Sequence, residues 1–120
     1  LYRVEEYSHD MATVLAAAGA VVCRSGAATV SEITALGIPA LYVPLPHGNG
    51  EQADNAREAV EAGAAGMVAD AELTAAVLEQ RAEAMLLDPK AAARMRDAAA
   101  GIGIRDGAQR LADMIEGALA

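Results

Sequence analysis

Short runs that suit β-strands alternate with longer helical segments along this chain, and this alternation limits its fold more than any other feature. Strands and helices that alternate in this way form βαβ units, in which the strands are parallel and the helices cover the faces of the sheet. The sequence therefore predicts an α/β fold with a parallel sheet and flanking helices. The predicted strands are Arg3 to Tyr7, Ala20 to Arg24, Ala40 to Val43 and Ala65 to Val68.

Local signals mark the ends of the helices. Asp10 is placed to cap a helix that runs to about Ala18, and Gly19 is placed to stop it. A second helix, from Ala28 to Leu36, is closed by Gly37. The other predicted helices are Glu51 to about Ala62, Leu73 to Leu87, Ala91 to Ala99 and about Ala108 to Leu119.

Length and composition favour a single domain that binds no nucleic acid. At 120 residues the chain can enclose one core, with strands and helices in residues 1–70 and a helical tail in residues 71–120. The hydrophobic fraction is 54% without any Phe or Trp, so small side chains favour close packing of helices on the sheet. The net charge is −8, and the acidic residues are spread along the chain, which disfavours binding to a phosphate backbone.

The sequence contains no signal peptide and no apolar run long enough to span a bilayer. Cys23 is the only cysteine, which excludes an internal disulfide, and because nothing indicates an oxidising compartment we expect a cytoplasmic setting. His9 and Asp10 are adjacent but have no further metal ligands near them, and we predict neither a metal site nor a cofactor. The chain begins at Leu1 without an initiator Met, and we expect it to be too short for a whole enzyme.

The candidate binding loops begin at Ser8, Arg24 and Pro44, because ligands of open parallel sheets bind beyond the carboxyl ends of the strands. The segment from Arg24 to Thr29 joins a strand to a helix through small residues, and it leaves the first N–H groups of that helix available to an anion. Glu32 follows about one helical turn later, and a carboxylate there suits the hydroxyls of a ribose.

The same residues also admit an interpretation without a ligand. Thr29-Val30-Ser31-Glu32 matches the capping box, in which the Thr29 side chain caps the helix and Glu32 bonds back to the main chain of Thr29. Both interpretations are compatible with the sequence. Arg24 is predicted to be a charge at a strand end, with contact to a phosphate as the alternative.

The loop from Pro44 to Gly50 is rich in turn-forming residues and leads into the N-terminus of a helix. Gln52 and Asn55 lie on one face of that helix, and amides both donate and accept hydrogen bonds, which suits sugar hydroxyls. In the alternative, Asn49 caps the helix and both amide side chains face water. His47 has no partner carboxylate in register, so we assign it no catalytic role.

Four spaced motifs together resemble one family. They are Cys23-Arg-Ser-Gly-Ala-Ala-Thr-Val-Ser-Glu32, Gly37-Ile-Pro39, Tyr42-Val-Pro44 and His47-Gly-Asn-Gly-Glu-Gln-x-x-Asn-Ala56. The chain resembles the MurG glycosyltransferases, which transfer N-acetylglucosamine from UDP-N-acetylglucosamine to undecaprenyl-pyrophosphoryl-muramyl-pentapeptide in peptidoglycan synthesis. The resemblance is strong from about Glu5 to Asn55 and continues weakly through the helical tail.

The resemblance implies the C-terminal, donor-binding part of an inverting transferase with the GT-B architecture, in which two Rossmann-like domains face each other across a cleft. It implies that the main chain at Tyr7 and Ser8 meets uracil and that Glu32 holds the ribose hydroxyls. The segment Ala27, Ala28 and Thr29 would approach the diphosphate and the sugar.

By the same resemblance, Gln52 meets the N-acetylglucosamine with Glu51 beside it, and Asn55 supports that loop. Many relatives carry two glutamines where this chain has Glu51 and Gln52. The resemblance implies that the acceptor site, the membrane-facing patch and the general base belong to an N-terminal domain with no counterpart here, so we expect no catalytic residue in this chain. A lipid-linked muramyl-pentapeptide acceptor would bind through that missing domain, at the inner face of the cell membrane.

Two other functions stay open on the sequence. One is a UDP-sugar transferase of the same architecture that acts on a different acceptor. The other is a non-catalytic module that binds a nucleotide or a partner protein, in which Thr29 and Glu32 serve only to cap a helix.

Overall fold

The structure of this chain, a computed structural model, describes residues 1–120 and contains a three-stranded parallel sheet. The strands are β1 (Val21–Cys23), β2 (Ala40–Tyr42) and β3 (Ala65–Met67), in that order across the sheet. In the register, Val21 lies opposite Ala40, which lies opposite Ala65. Each pair of neighbouring strands is joined through a helix, so the predicted α/β fold is confirmed.

The chain forms six α-helices. They are α1 (Met11–Ala17), α2 (Ala27–Leu36), α3 (Glu51–Glu61), α4 (Ala75–Leu86), α5 (Pro89–Ile102) and α6 (Gly107–Leu119), with a 3₁₀ turn at Asp70–Glu72 after β3. The predicted helices are all present, and the helix after the Asp88-Pro89 break is longer than predicted. Asp88 caps it by accepting hydrogen bonds from the main-chain nitrogens of Lys90 and Ala91, each at 3.0 Å.

The prediction of a first strand from Arg3 to Tyr7 is wrong. The segment has no regular structure, and its apolar side chains are exposed, Val4 at 74% and Tyr7 at 72%. A strand needs a neighbouring strand to satisfy its main-chain groups, and none pairs with this segment. Its charged residues also give it no apolar face to bury; Arg3 and Glu5 pair with each other at the surface.

Alternating side chains of β2 divide the core between the two faces of the sheet. Tyr42 and Ala40 point to the face covered by α2 and α3, where Ile33 and Ala59 are buried against them. Leu41 lies in a second cluster on the other face. The buried residues of that second cluster are Leu41, Val43, Val68 and Met85. Small side chains at the helix contacts let α2 and α3 approach the sheet closely.

Helix α6 contributes no buried residue. Its apolar side chains Leu111, Met114, Ile115 and Leu119 are all exposed. None of the helices in the structure combines the length and the apolar character that a membrane crossing requires.

Candidate functional site

The first turn of α2 is open to a ligand. The helix begins at Ala27, and Gly26 precedes it with extended main-chain angles and without a side chain that could cap the first N–H groups. Ala27 and Ala28 are exposed, and Thr29 is half-buried. The unpaired N–H groups and the positive end of the helix dipole therefore face solvent, in an arrangement that suits an anion.

The capping-box interpretation of this segment is wrong. Helix α2 begins two residues before Thr29, so Thr29 lies within the first turn and cannot serve as the N-cap. The Glu32 carboxylate is exposed and does not hydrogen-bond to the main chain of Thr29. Glu32 is consequently available to a ligand.

Glu32 borders a groove between α1 and α2 with a volume of about 610 Å³. Met11, Ala12 and Leu15 of α1 form its apolar side, and Ile104 and Arg105 close one end; Ser31, Glu32, Ala35 and Leu36 line it from α2. An apolar wall with a carboxylate at its edge can hold a flat ring that carries hydroxyl groups.

Tyr7 and Ser8 lie on the other side of Met11. Together with Met11, they line a neighbouring open cavity of about 920 Å³. The Ser8 hydroxyl accepts a hydrogen bond from the main-chain nitrogen of Asp10 at 3.3 Å, and the Tyr7 ring meets the His9 ring edge-on at a centroid distance of 4.8 Å. The predicted contacts at Tyr7, Ser8 and Glu32 therefore belong to adjacent cavities that share one methionine.

Hydrogen bonds join the loop after β1 to the start of α3. The hydroxyl of Ser25, which is fully buried, donates to the main-chain oxygen of Gln52 at 2.7 Å. The side-chain oxygen of Gln52 accepts from the main-chain nitrogens of Ser25 at 3.3 Å and Leu45 at 2.9 Å. Asn55 donates from its side-chain nitrogen to the main-chain oxygen of Ser25 at 3.1 Å.

This network overturns the alternative in which Gln52 and Asn55 face water and Asn49 caps the helix. Gly50, not Asn49, precedes α3, and it has a positive φ of 80°. The amide of Asn55 supports the loop after β1, where we predicted support for the loop before α3. The side-chain nitrogen of Gln52 makes no hydrogen bond within the chain, and Glu51 beside it is exposed.

Arg24 connects the ends of all three strands. Its Nη1 atom donates to the main-chain oxygens of Val43 at 3.1 Å and Pro44 at 3.2 Å, and it pairs with the Asp70 carboxylate at 2.5 Å. The guanidinium is therefore engaged within the chain, and no phosphate contact is needed to explain its presence.

The other residues considered in the sequence, His47 and Cys23, have no contacts that indicate binding or catalysis. His47 is exposed in the loop before α3. Burial raises the pKa of the Cys23 thiol, which keeps it protonated, as expected for a small core residue. No group of three or more His, Cys, Asp or Glu side chains is placed to hold a metal ion.

Sequence comparison identifies the family. Residues 1–111 match the Glycosyltransferase family 28 C-terminal domain. The chain belongs to this family. Two relatives of the family 28 domain carry the name UDP-N-acetylglucosamine–N-acetylmuramyl-(pentapeptide) pyrophosphoryl-undecaprenol N-acetylglucosamine transferase. The protein of Corynebacterium glutamicum strain R is 53% identical over 77 residues, which cover 64% of this chain and 22% of that protein. That of Corynebacterium efficiens is 62% identical over 68 residues, which cover 57% of this chain and 19% of that protein.

A solved structure supports the same assignment. The crystal structure of Acinetobacter baumannii MurG superposes with a TM-score of 0.84 at 28% identity, over 96% of this family 28 domain and 35% of that chain. The resemblance to MurG and the Rossmann-like, GT-B C-terminal fold inferred from the sequence are thereby confirmed. The chain spans about a fifth of the length of the curated relatives that it matches.

Proposed function

We propose that this chain binds the donor, UDP-N-acetylglucosamine, for an inverting transferase that converts lipid I to lipid II in peptidoglycan synthesis. One observation carries the proposal: the open start of α2 lies between a carboxylate on its own second turn and the Gln52 amide across the strand ends. A nucleotide sugar carries its groups in the matching order: the ribose diol suits the carboxylate, the diphosphate suits the helix start, and the sugar hydroxyls suit the amide. The transferase name of the relatives supports this choice of ligand.

The nucleoside would occupy the cavities on both sides of Met11. In this arrangement uracil meets the main chain at Tyr7 and Ser8, and Glu32 accepts hydrogen bonds from the two ribose hydroxyls. The first N–H groups of α2, at Ala27 to Thr29, bind the diphosphate.

The sugar would lie toward the start of α3. There the side-chain nitrogen of Gln52, which has no partner in the chain, donates to a sugar hydroxyl. Glu51 is exposed next to it and accepts from another hydroxyl. Asn55 acts indirectly, because its hydrogen bond to Ser25 fixes the loop that leads into α2.

In the reaction, the acceptor hydroxyl attacks the anomeric carbon and UDP departs with its bonding electron pair. The negative charge that develops on the diphosphate is stabilised by the start of α2, since its N–H groups are already oriented. The lipid-linked acceptor and the general base would be held by residues outside this chain, at the inner face of the cell membrane. We therefore expect the 120 residues alone to bind the donor weakly and to transfer no sugar.

Titration of the 120-residue chain with UDP-N-acetylglucosamine, followed by NMR, tests the proposal. Glu32→Ala should weaken binding by at least about tenfold, because the ribose diol loses its hydrogen bonds to a charged acceptor. Glu32→Gln keeps the size of the side chain and should weaken binding less. Glu79→Gln, an exposed glutamate on α4, is the matched control and should bind as the unsubstituted chain does.

Two results would contradict the donor site. The first is unchanged affinity in Glu32→Ala with the fold intact by circular dichroism. The second is a set of ligand-induced shifts that avoids the first turn of α2 and falls elsewhere on the chain.

A further inference from the structure

Three loops at the carboxyl edge of the sheet are tied to one side chain. Arg24 directly follows β1, and its guanidinium donates to the main-chain oxygens of Val43 and Pro44 directly after β2. Its ion-pair partner Asp70 follows β3. Each strand of the sheet therefore contributes one point of attachment. The backbone hydrogen bonds of the sheet end with Val43, whose nitrogen donates to the Cys23 oxygen at 2.9 Å, and with Val68, whose nitrogen donates to the Tyr42 oxygen at 3.0 Å, so Pro44 and Asp70 lie beyond them.

The attachment continues into the loop that leads to α3, where the sugar contact proposed above begins. Pro44 is followed by Leu45, whose main-chain nitrogen donates to the Gln52 side-chain oxygen at 2.9 Å. The chain between Leu45 and Gln52 is exposed and includes Gly48 and Gly50 with positive φ, so it has little packing of its own. Its position depends on its two ends.

We propose that Asp70 is a positioning residue for the donor sugar: by pairing with Arg24 it holds the start of the 44–50 loop, and thereby the Gln52 amide, in place. The inference rests on the proposed donor site. Asp70 itself touches no part of the ligand in this arrangement. It acts by keeping the Arg24 guanidinium directed at the two main-chain oxygens and away from the diphosphate.

The effect should be largest at the sugar end of the ligand. Glu32 and Met11 line the nucleoside groove from α2 and α1, and the ion pair of Asp70 is with Arg24 at the strand ends. Loss of the ion pair should therefore weaken binding of UDP-N-acetylglucosamine more than binding of UDP, which keeps its contacts in the groove. A general loss of stability would weaken both ligands equally.

The experiment compares Asp70→Asn with the unsubstituted chain and with Asp106→Asn, which removes an exposed ion pair to Arg110 at the start of α6. Two quantities are measured by NMR: the affinities for UDP and for UDP-N-acetylglucosamine, and the hydrogen-exchange rate of the Leu45 amide without ligand. Asp70→Asn should lower the affinity for UDP-N-acetylglucosamine by about threefold to fivefold, which is the effect expected from the loss of a partly exposed ion pair. Exchange at Leu45 should accelerate, and Asp70→Glu should restore part of both properties.

The other outcomes are equally decisive. Equal weakening of both ligands, tighter binding of UDP through a released Arg24, or unchanged values would each overturn the role of Asp70. Failure of the unsubstituted chain to bind either ligand at millimolar concentration would overturn the proposed donor site and this role with it. Normal binding by that chain with no response in Asp70→Asn overturns the positioning role alone.

Discussion

Ser25 and Gln52 hold each other through two hydrogen bonds, although they are 27 positions apart in the chain. The Ser25 hydroxyl donates to the Gln52 main-chain oxygen at 2.7 Å, and the Gln52 side-chain oxygen accepts from the Ser25 main-chain nitrogen at 3.3 Å. The loop before α2 and the first turn of α3 are therefore a single unit. A ligand that bridges them meets groups whose relative position is already fixed, which reduces the ordering that binding requires.

Gln52 allows its structural and binding roles to be separated. In Gln52→Glu, a carboxylate oxygen can still accept from Ser25 and Leu45, but the amide donor is lost and a negative charge faces the diphosphate site. We expect at least about tenfold weaker binding of UDP-N-acetylglucosamine, since a hydrogen bond is replaced by repulsion, with little change in the free energy of unfolding.

Gln52→Ala is the comparison for that variant. It leaves two main-chain N–H groups without their protein partner and should also lower the free energy of unfolding by about 1 kcal/mol. Urea denaturation and NMR titration measure the two properties. Normal donor binding by Gln52→Glu would show that the side-chain nitrogen of Gln52 does not contact the ligand.

The Tyr42 side chain is fully buried, and its hydroxyl has no hydrogen-bond partner within the protein. The Thr34 side chain is near enough to lower the pKa of this group slightly, against the larger effect of burial, but the hydroxyl has no hydrogen bond within the protein. An unpaired buried hydroxyl destabilises a fold, so Tyr42→Phe should raise the free energy of unfolding by about 1 kcal/mol near neutral pH. A loss of stability in urea denaturation would indicate that a water or side chain does pair with this hydroxyl.

The same tyrosine predicts sensitivity to alkali. Burial raises the pKa of Tyr42 to about 12, from an ordinary value of 10.0. Below pH 10 the tyrosine is neutral in both the folded and the unfolded chain. Between pH 10 and 12 it ionises only in the unfolded chain, so the free energy of unfolding falls over this range. The loss of stability between these two pH values should be smaller in Tyr42→Phe than in the unsubstituted chain, and an identical loss in both would assign it to other groups.

Those parts of the fold that depend on neighbours in sequence could be predicted. Gly37, with a φ of 70°, ends α2 where the sequence indicated, and Asp10 caps α1 through the main-chain nitrogen of Thr13. The absence of a strand at Arg3 to Tyr7 could not be predicted, because a strand forms only where a partner strand is available and the local sequence pattern does not reveal that.

The candidate site divides in the same way. The open start of α2 and the position of Glu32 follow from a run of small residues before a helix, which is local information. The contacts of Gln52 with Ser25 and of Arg24 with Asp70 join separate segments of the chain. Met11 and Arg105 reach the groove beside Glu32 only because α1 and the segment between α5 and α6 pack there. No spacing in the sequence marks these contacts, so the structure was needed to find them.

Gly103, the residue directly after α5, lies close to the main chain of α2. A Cβ atom at this position would lie 2.9 Å from the main-chain oxygen of Thr34, 3.0 Å from that of Ala99 and 3.2 Å from the Cα of Ala35. These are main-chain atoms that cannot rotate away, so Gly103→Ala should lower the free energy of unfolding by about 1 to 3 kcal/mol and shift the helix whose first turn is proposed to bind the diphosphate. Gly101→Ala, two residues earlier, meets no atom within 4 Å and should instead raise it by about 0.5 to 1 kcal/mol, because alanine favours the helix. In urea denaturation, the free energy of unfolding should fall in Gly103→Ala and rise in Gly101→Ala. A similar rise in both variants would show that α5 can move away from α2 without cost.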